Sequence, residues 1–306
     1  MASPSARVRS SLPATSSGTN AHAYTLGDWG LLAVIALIWG SSFVLMEFGL
    51  RSFGPGVITL SRIALGTATL ALFARARAPV EREDWGRIAL LGVVWMAIPL
   101  TLLPIAQQWI NSSVSGMING AMPIFAAAWA TYLLRKLPGW RQMLGIAIGF
   151  GGIVLVFVPE LQASAATTFG AFLALFAISF YGLAANIAVP LQQKYGALPI
   201  VYRAQLVALL LVLPFGLLQL SESTFSWESA LAMIPLGILG TGFALVLMTT
   251  LAGRVGGPRA SIAIYFLPLV AIALGIAVLG ETVAPIALFG VALVLAGAWI
   301  ASRRES

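Results

Sequence analysis

From residue 28 to residue 302 the chain is a succession of apolar runs, cut only by short charged, polar or Pro-Gly clusters. A helix that covers the roughly 30 Å hydrocarbon core of a bilayer takes about 20 residues, and the runs have that length. Cutting at the interruptions predicts ten spans: 28–50, 54–74, 86–108, 112–134, 141–158, 169–190, 198–219, 228–252, 258–280 and 283–302. Composition demands the same environment, because 59% of the residues are hydrophobic and 9% are charged, against roughly a quarter charged in a soluble domain. The fold class read from this is an all-α integral membrane protein of ten transmembrane helices.

The Ser-, Ala-, Thr- and Pro-rich residues 1–26 read as a disordered cytoplasmic tail, since they bury nothing that offsets the entropy of ordering them. Polar residues follow Arg7 and Arg9, and the first apolar run starts near Leu31 and is long enough to span, so a signal peptide is not expected. The net charge of +7 does not point to nucleic acid, because the basic residues sit in the gaps between apolar runs rather than on one solvated face. Ten spans place 14 of the 17 basic residues on one side and Arg51 alone on the other, leaving Arg62 and Arg203 inside spans. Short cytoplasmic loops are enriched in Lys and Arg, so both termini are expected in the cytoplasm.

A second pattern is internal duplication. Pro123 and Pro268 are 145 residues apart, and the same offset relates Gly92 to Gly237, Gly145 to Gly290 and Gly152 to Gly297. The predicted division is a first five-helix repeat at 27–160 and a second at 161–302, with 303–306 as a cytoplasmic C-terminus. Five is odd, so the second copy enters the membrane from the opposite side. Inverted repeats of this kind enclose a central cavity that opens to either face in turn.

Residues that could line such a cavity follow from cost. A proline inside a helix frees the carbonyl four residues earlier, so Pro123 exposes that of Asn119 and Pro268 that of Ile264. An unpaired carbonyl in lipid costs several kcal/mol and should face a chamber or a helper group. Asn119 adds an amide there. Trp39, Ser41 and Ser42 lie near the middle of span one and Tyr181 and Asn186 in span six, with Trp95, Thr241 and Tyr265 as further lining candidates. Set against this, small and hydroxyl residues in membrane helices commonly serve close packing and bond their own backbone. The buried charges Glu47 and Arg62, on spans joined by a tight loop, are expected to form an ion pair, either a gate or a structural neutraliser. Arg203 is expected to snorkel to the interface. Gly145, Gly149, Gly152, Gly290 and Gly297 form small faces for helix packing, which also offer a surface for a homodimer.

The motifs ALIWGSSFV in span one, TLSRIAL in span two and LPLVAIALGIAVLGE in span nine, with ten helices in two fives, resemble the EamA-type branch of the drug/metabolite transporter superfamily. That resemblance covers about residues 28–302. It implies an inner-membrane carrier, an exporter of amino acids or related metabolites, with a cavity lined mainly by spans 1, 3, 4, 6, 8 and 9. One departure from the family is that the first copy ends in LLRK where members commonly read close to LGE, so a role for the acid is supported only at Glu281.

Other functions lack their machinery. The chain has no cysteine and one histidine, His22 in the tail, so neither metal ligands nor a nucleophile with its base are expected, and no cofactor. No Gly-rich phosphate loop and no continuous charged stripe point to a pump or a channel. A site rich in Trp, Tyr, Ser and Asn but poor in fixed charge suits uncharged or zwitterionic solutes, amino acids above all, with the lipid bilayer as the other partner. Multidrug carriage or channel-like facilitation is the alternative.

Overall fold

The computed structural model describes residues 25–134, 139–255 and 262–302. Every regular element among them is a helix. In chain order these are α1 (Leu26–Leu50), α2 (Pro55–Ala71), α3 (Trp85–Leu91), α4 (Ile98–Ala106), α5 (Ser112–Asn119), α6 (Met122–Leu134), α7 (Trp140–Ala163), α8 (Ala165–Tyr195), α9 (Ala197–Leu218), α10 (Trp227–Pro235), α11 (Ala244–Val255), α12 (Ile262–Leu279) and α13 (Pro285–Ser302). The helix N-termini follow local rules: Thr25 and Asp28 cap α1 reciprocally, Ser164 and Thr167 do so for α8, and Pro55 opens α2. Arg7, Arg9, Arg135, Lys136, Arg259, Arg303 and Arg304, among the basic residues counted above to orient the chain, lie outside the described residues, as does His22.

Six helical stretches are long and apolar enough to cross a bilayer: Leu26–Leu50, Arg82–Ala106, Met143–Ala163, Ala165–Tyr195, Ala197–Leu218 and Trp227–Met248. The other expected spans are shorter helices. α2 has 17 residues, about 25 Å at 1.5 Å per residue. Expected span four is two helices, because the chain breaks at Gly120 and Ala121. Exposed side chains such as Leu210, Phe150 and Phe289 are apolar, which suits a lipid solvent.

Helix contacts occur in corresponding pairs when α1, α2, α7 are exchanged with α8, α9, α13. α1 packs on α12 as α8 packs on α6, with Gly40 against Val270 and Gly182 against Phe125 and Ala126. α2 packs on the helix centred at Gly237, and α9 on the one centred at Gly92. The most extensive interface joins α7 to α13, where a Cβ on Gly152 would meet the Gly290 carbonyl at 2.5 Å and one on Gly297 the Gly145 carbonyl at 2.5 Å. Those two helices therefore run antiparallel. Their glycines are consumed within the chain, which corrects the expectation that these faces offer a homodimer surface.

Another correspondence was invisible in the residue pattern. Between α3 and α4, Gly92–Ala97 winds as a π-helix, and between α10 and α11 so does Leu236–Phe243, at the same 145-residue offset. Ion pairs match as well. Arg51 after α1 binds Glu228 of α10 at 2.5 Å, and Lys194 near the end of α8 binds Glu81 and Asp84, before α3, at 2.6 and 2.9 Å. Each pair ties the two halves at one end of the bundle. Arg203 does more than snorkel: its guanidinium donates to the Ala76 and Ala78 carbonyls at 3.1 and 2.7 Å and holds the connection before α3.

Candidate functional site

The second π-helix collects donors from three other helices. A π-turn widens the ladder and leaves carbonyls available to side chains, which is why such segments recur at functional sites. Trp39 of α1 donates its indole N–H to the Gly240 carbonyl at 3.0 Å. Gln205 of α9 donates its amide to the Thr241 carbonyl at 2.7 Å. Arg62 of α2 donates Nε–H to Thr241 Oγ1 at 3.1 Å, and the Thr241 hydroxyl donates in turn to the Leu236 carbonyl at 3.2 Å. The sequence reading missed Gln205; the available signal was a lone amide inside an apolar span.

Around this knot the structure brings together three of the expected aromatic residues. Trp39, Trp95 and Tyr181, from α1, the first π-helix and α8, pack against one apolar cluster that includes Ile63, Leu100 and Leu245. Tyr181 lies within electrostatic reach of the Arg62 guanidinium. Trp39→Phe keeps the apolar bulk but loses the bond to Gly240, and is expected to lower stability by about 1 kcal/mol, read as an earlier unfolding midpoint.

Arg62 is 5% exposed. It forms no ion pair among the described residues, and its Nη1 lies 3.4 Å from Met46 Sδ. The expected Glu47–Arg62 pair is absent. The reason is direction: the Arg62 side chain is turned to Met46 and the second π-helix, whereas Glu47 stands beside Gln107, near Glu281 and Arg51.

Other expected residues serve packing in this arrangement. Ser41 and Ser42 both donate to the Ile38 carbonyl at 3.0 Å, bonding their own helix. Asn186 donates to the Ala126 and Gly182 carbonyls at 2.9 Å each, tying α8 to α6. Tyr265 is buried and its hydroxyl donates to the Ala298 carbonyl at 3.0 Å, which directs it to α13.

The two prolines are not equivalent. Pro268 lies inside the continuous helix α12, whereas Pro123 sits in the first turn of α6, where its missing N–H costs least. The chain at Pro123 is thus broken rather than kinked. Pro268 fills the gap, since a Cβ on Gly120 would lie 2.9 Å from Pro268 Cγ. Asn119, the last residue of α5, is buried with Oδ1 unpartnered.

At the other end of α5 sits the acid at the close of the LGE motif. Glu281 Oε1 accepts from the Ser112 backbone N–H at 2.8 Å and Oε2 from that of Ser113 at 2.9 Å, while the Ser113 hydroxyl bonds the same oxygen. A carboxylate here satisfies orphan donors and complements the helix dipole. Gly275 leaves the room, because a Cβ there would overlap the Ser113 hydroxyl and the Glu281 carboxylate.

The knot therefore presents a buried guanidinium with no carboxylate paired to it among the described residues. Among the described residues no cluster of three or more His, Cys, Asp or Glu is placed to hold a metal.

Comparison with known proteins agrees in class. The model of the EamA-like transporter family matches twice, over residues 28–158 and 168–303. A protein of Streptantibioticus cattleyicolor named as a probable terminal-alkyne amino-acid exporter is 26% identical over 280 residues, covering 90% of this chain and 93% of that protein. An S-adenosylmethionine/S-adenosylhomocysteine transporter of Chlamydia muridarum is 32% identical over 123 residues, 39% of this chain and 38% of its own length. A solved crystal structure superposes with a TM-score of 0.59 at 14% identity, over 91% of this chain and 97% of that one, and shares the fold. With both halves of the chain matched and its helices apolar enough for lipid, the protein belongs to the EamA-like transporter family and is a multi-pass membrane transporter of the drug/metabolite type.

Proposed function

We propose that this chain is an inner-membrane secondary carrier that exports amino acids or related small metabolites by alternating access, and that Arg62 receives the solute's carboxylate. One observation carries the solute class: a buried guanidinium within electrostatic reach of Tyr181 that has no carboxylate paired to it among the described residues. A buried cation without a counter-ion is costly, and an arriving carboxylate, which a guanidinium can grip with two parallel bonds, removes that cost. The solutes named for the Streptantibioticus and Chlamydia relatives share an α-amino-acid head, which fits such a site.

The ten-span, inverted-repeat reading, with copies at 27–160 and 161–302, is supported by the antiparallel contact of α7 and α13. Gly152 meets Gly290 as Gly297 meets Gly145, the reciprocal contact of an axis lying across the helices. The 14-to-1 split of basic residues puts both termini in the cytoplasm and the end bearing Arg51 and Glu228 outside. Pro123 and Pro268, with Asn119 beside them, sit where the broken helix of one copy meets the continuous helix of the other, a suitable bending point.

Counterflow in proteoliposomes tests the reading. A panel of labelled amino acids with S-adenosylmethionine is expected to include at least one solute that exchanges against its unlabelled form. Exchange of a drug cation with no amino acid exchanging would make this a multidrug carrier instead, and unsaturable flux would make it a channel.

A further inference from the structure

Six buried side-chain oxygens among the described residues lack a hydrogen-bond partner, and four of them belong to Gln107, Ser112, Ser115 and Asn119. They are not scattered. Positions 112, 115 and 119 are spaced i, i+3 and i+7, one stripe along α5, and at 1.5 Å per residue the stripe spans about 10 Å. All four residues are more than nine-tenths buried. At its head, Gln107 donates to the Phe43 carbonyl at 3.0 Å. Glu47, one helical turn beyond Phe43 on the same face of α1, lies beside the Gln107 amide. At its foot, Asn119 stands at the break between α5 and α6.

The charges around Glu47 are asymmetric. Glu281 is its neighbouring carboxylate and accepts from three donors of α5. Arg51 is engaged by Glu228. Arg62 is turned to Thr241, and Arg254 stands at the far end of α1 against Asp28. α4 and α5 carry no ionisable side chain, and α12 carries only Tyr265. Glu47 thus has no cation within 4.0 Å among the described residues and has a second carboxylate nearby. A carboxylate in a membrane span with no cation against it is costly, and a proton removes that cost.

We propose that the Glu47 carboxyl takes up and releases the proton that couples transport, beside the row of unpartnered buried oxygens of Gln107, Ser112, Ser115 and Asn119 that leads to the break in span four. Uptake converts the carboxylate to a carboxylic acid, whose O–H becomes a donor for an acceptor such as Gln107 Oε1. Release breaks that O–H bond, restores the carboxylate and returns the proton to water when the carrier opens to the opposite face. The inference rests on the carrier reading above.

Two measurements on the purified full chain separate this inference from that reading. In infrared difference spectra across a pH step, a carboxylic C=O band is expected that Glu47→Gln removes, Glu47→Asp shifts and Glu281→Gln retains. A band removed by Glu281→Gln and retained by Glu47→Gln overturns the assignment. In proteoliposomes loaded with pyranine, solute-driven proton movement is expected to fall to background in Glu47→Gln while counterflow of the same labelled amino acid persists. Proton movement undiminished in Glu47→Gln also overturns it, whereas wild-type protein that exchanges no amino acid overturns the solute reading and leaves the infrared test standing.

Discussion

Arg62→Gln raises the KM for amino-acid counterflow about 10- to 100-fold, which is the loss of a charge-assisted hydrogen bond worth about 1.5–3 kcal/mol at tenfold per ~1.4 kcal/mol. Stability moves little or upward, because the change removes a desolvated cation that no protein carboxylate compensates. Arg62→Lys keeps the charge but loses the planar fork and falls between. Thermal unfolding and counterflow, measured on the same preparations, check both halves of the expectation. A KM unchanged in Arg62→Gln would make Arg62 an internal strut that binds Thr241 and nothing else.

Gly297→Leu abolishes the folded protein. Its Cβ would sit 2.5 Å from the Gly145 carbonyl and against the Gly149 backbone, and backbone inside a helix cannot step aside as a side chain can. Overpacking typically costs about 1–3 kcal/mol, and more where the only relief is separation of two helices. Here those helices form the most extensive interface in the chain. The control is Gly30→Leu, where a Cβ has nothing within 4 Å. Size-exclusion profiles and unfolding midpoints in detergent are expected to show Gly30→Leu near wild type and Gly297→Leu aggregated or absent. A monodisperse Gly297→Leu with an unchanged midpoint would mean that α7 and α13 do not meet at these glycines.

Much of the frame was legible in advance because it follows from periodic, local physics. Apolar runs of bilayer length specify helices, and the 145-residue offset links glycines that meet reciprocally at the α7–α13 crossing. Trp39, Trp95 and Tyr181, read from the sequence as cavity lining, pack against one apolar cluster. What went unread was direction. Ser41 and Ser42 turn back to Ile38, which depends on a rotamer and leaves no trace in spacing. Glu47 and Arg62 are near in sequence, yet the partners that draw Arg62 away, Met46 and Thr241, include one 179 residues distant. Pro123 and Pro268 look equivalent, but a break at Gly120 and Ala121 puts one in a first turn and leaves the other mid-helix.

By itself the sequence determined the solvent of this protein, its helical class, its duplication and the list of polar groups that lipid would not tolerate unpartnered. Those are properties of composition and period, which every folded arrangement of the chain must respect. Only the tertiary structure decided which of those groups satisfy one another. Glu281 is taken by the α5 N-terminus, and Asn186 by α6. Arg62, Glu47 and the oxygens along α5 are left over. Hydrogen-bond partners across a bundle are set by helix rotation and by where the ladder widens, at Gly92–Ala97 and Leu236–Phe243, and neither is encoded in any one stretch of residues.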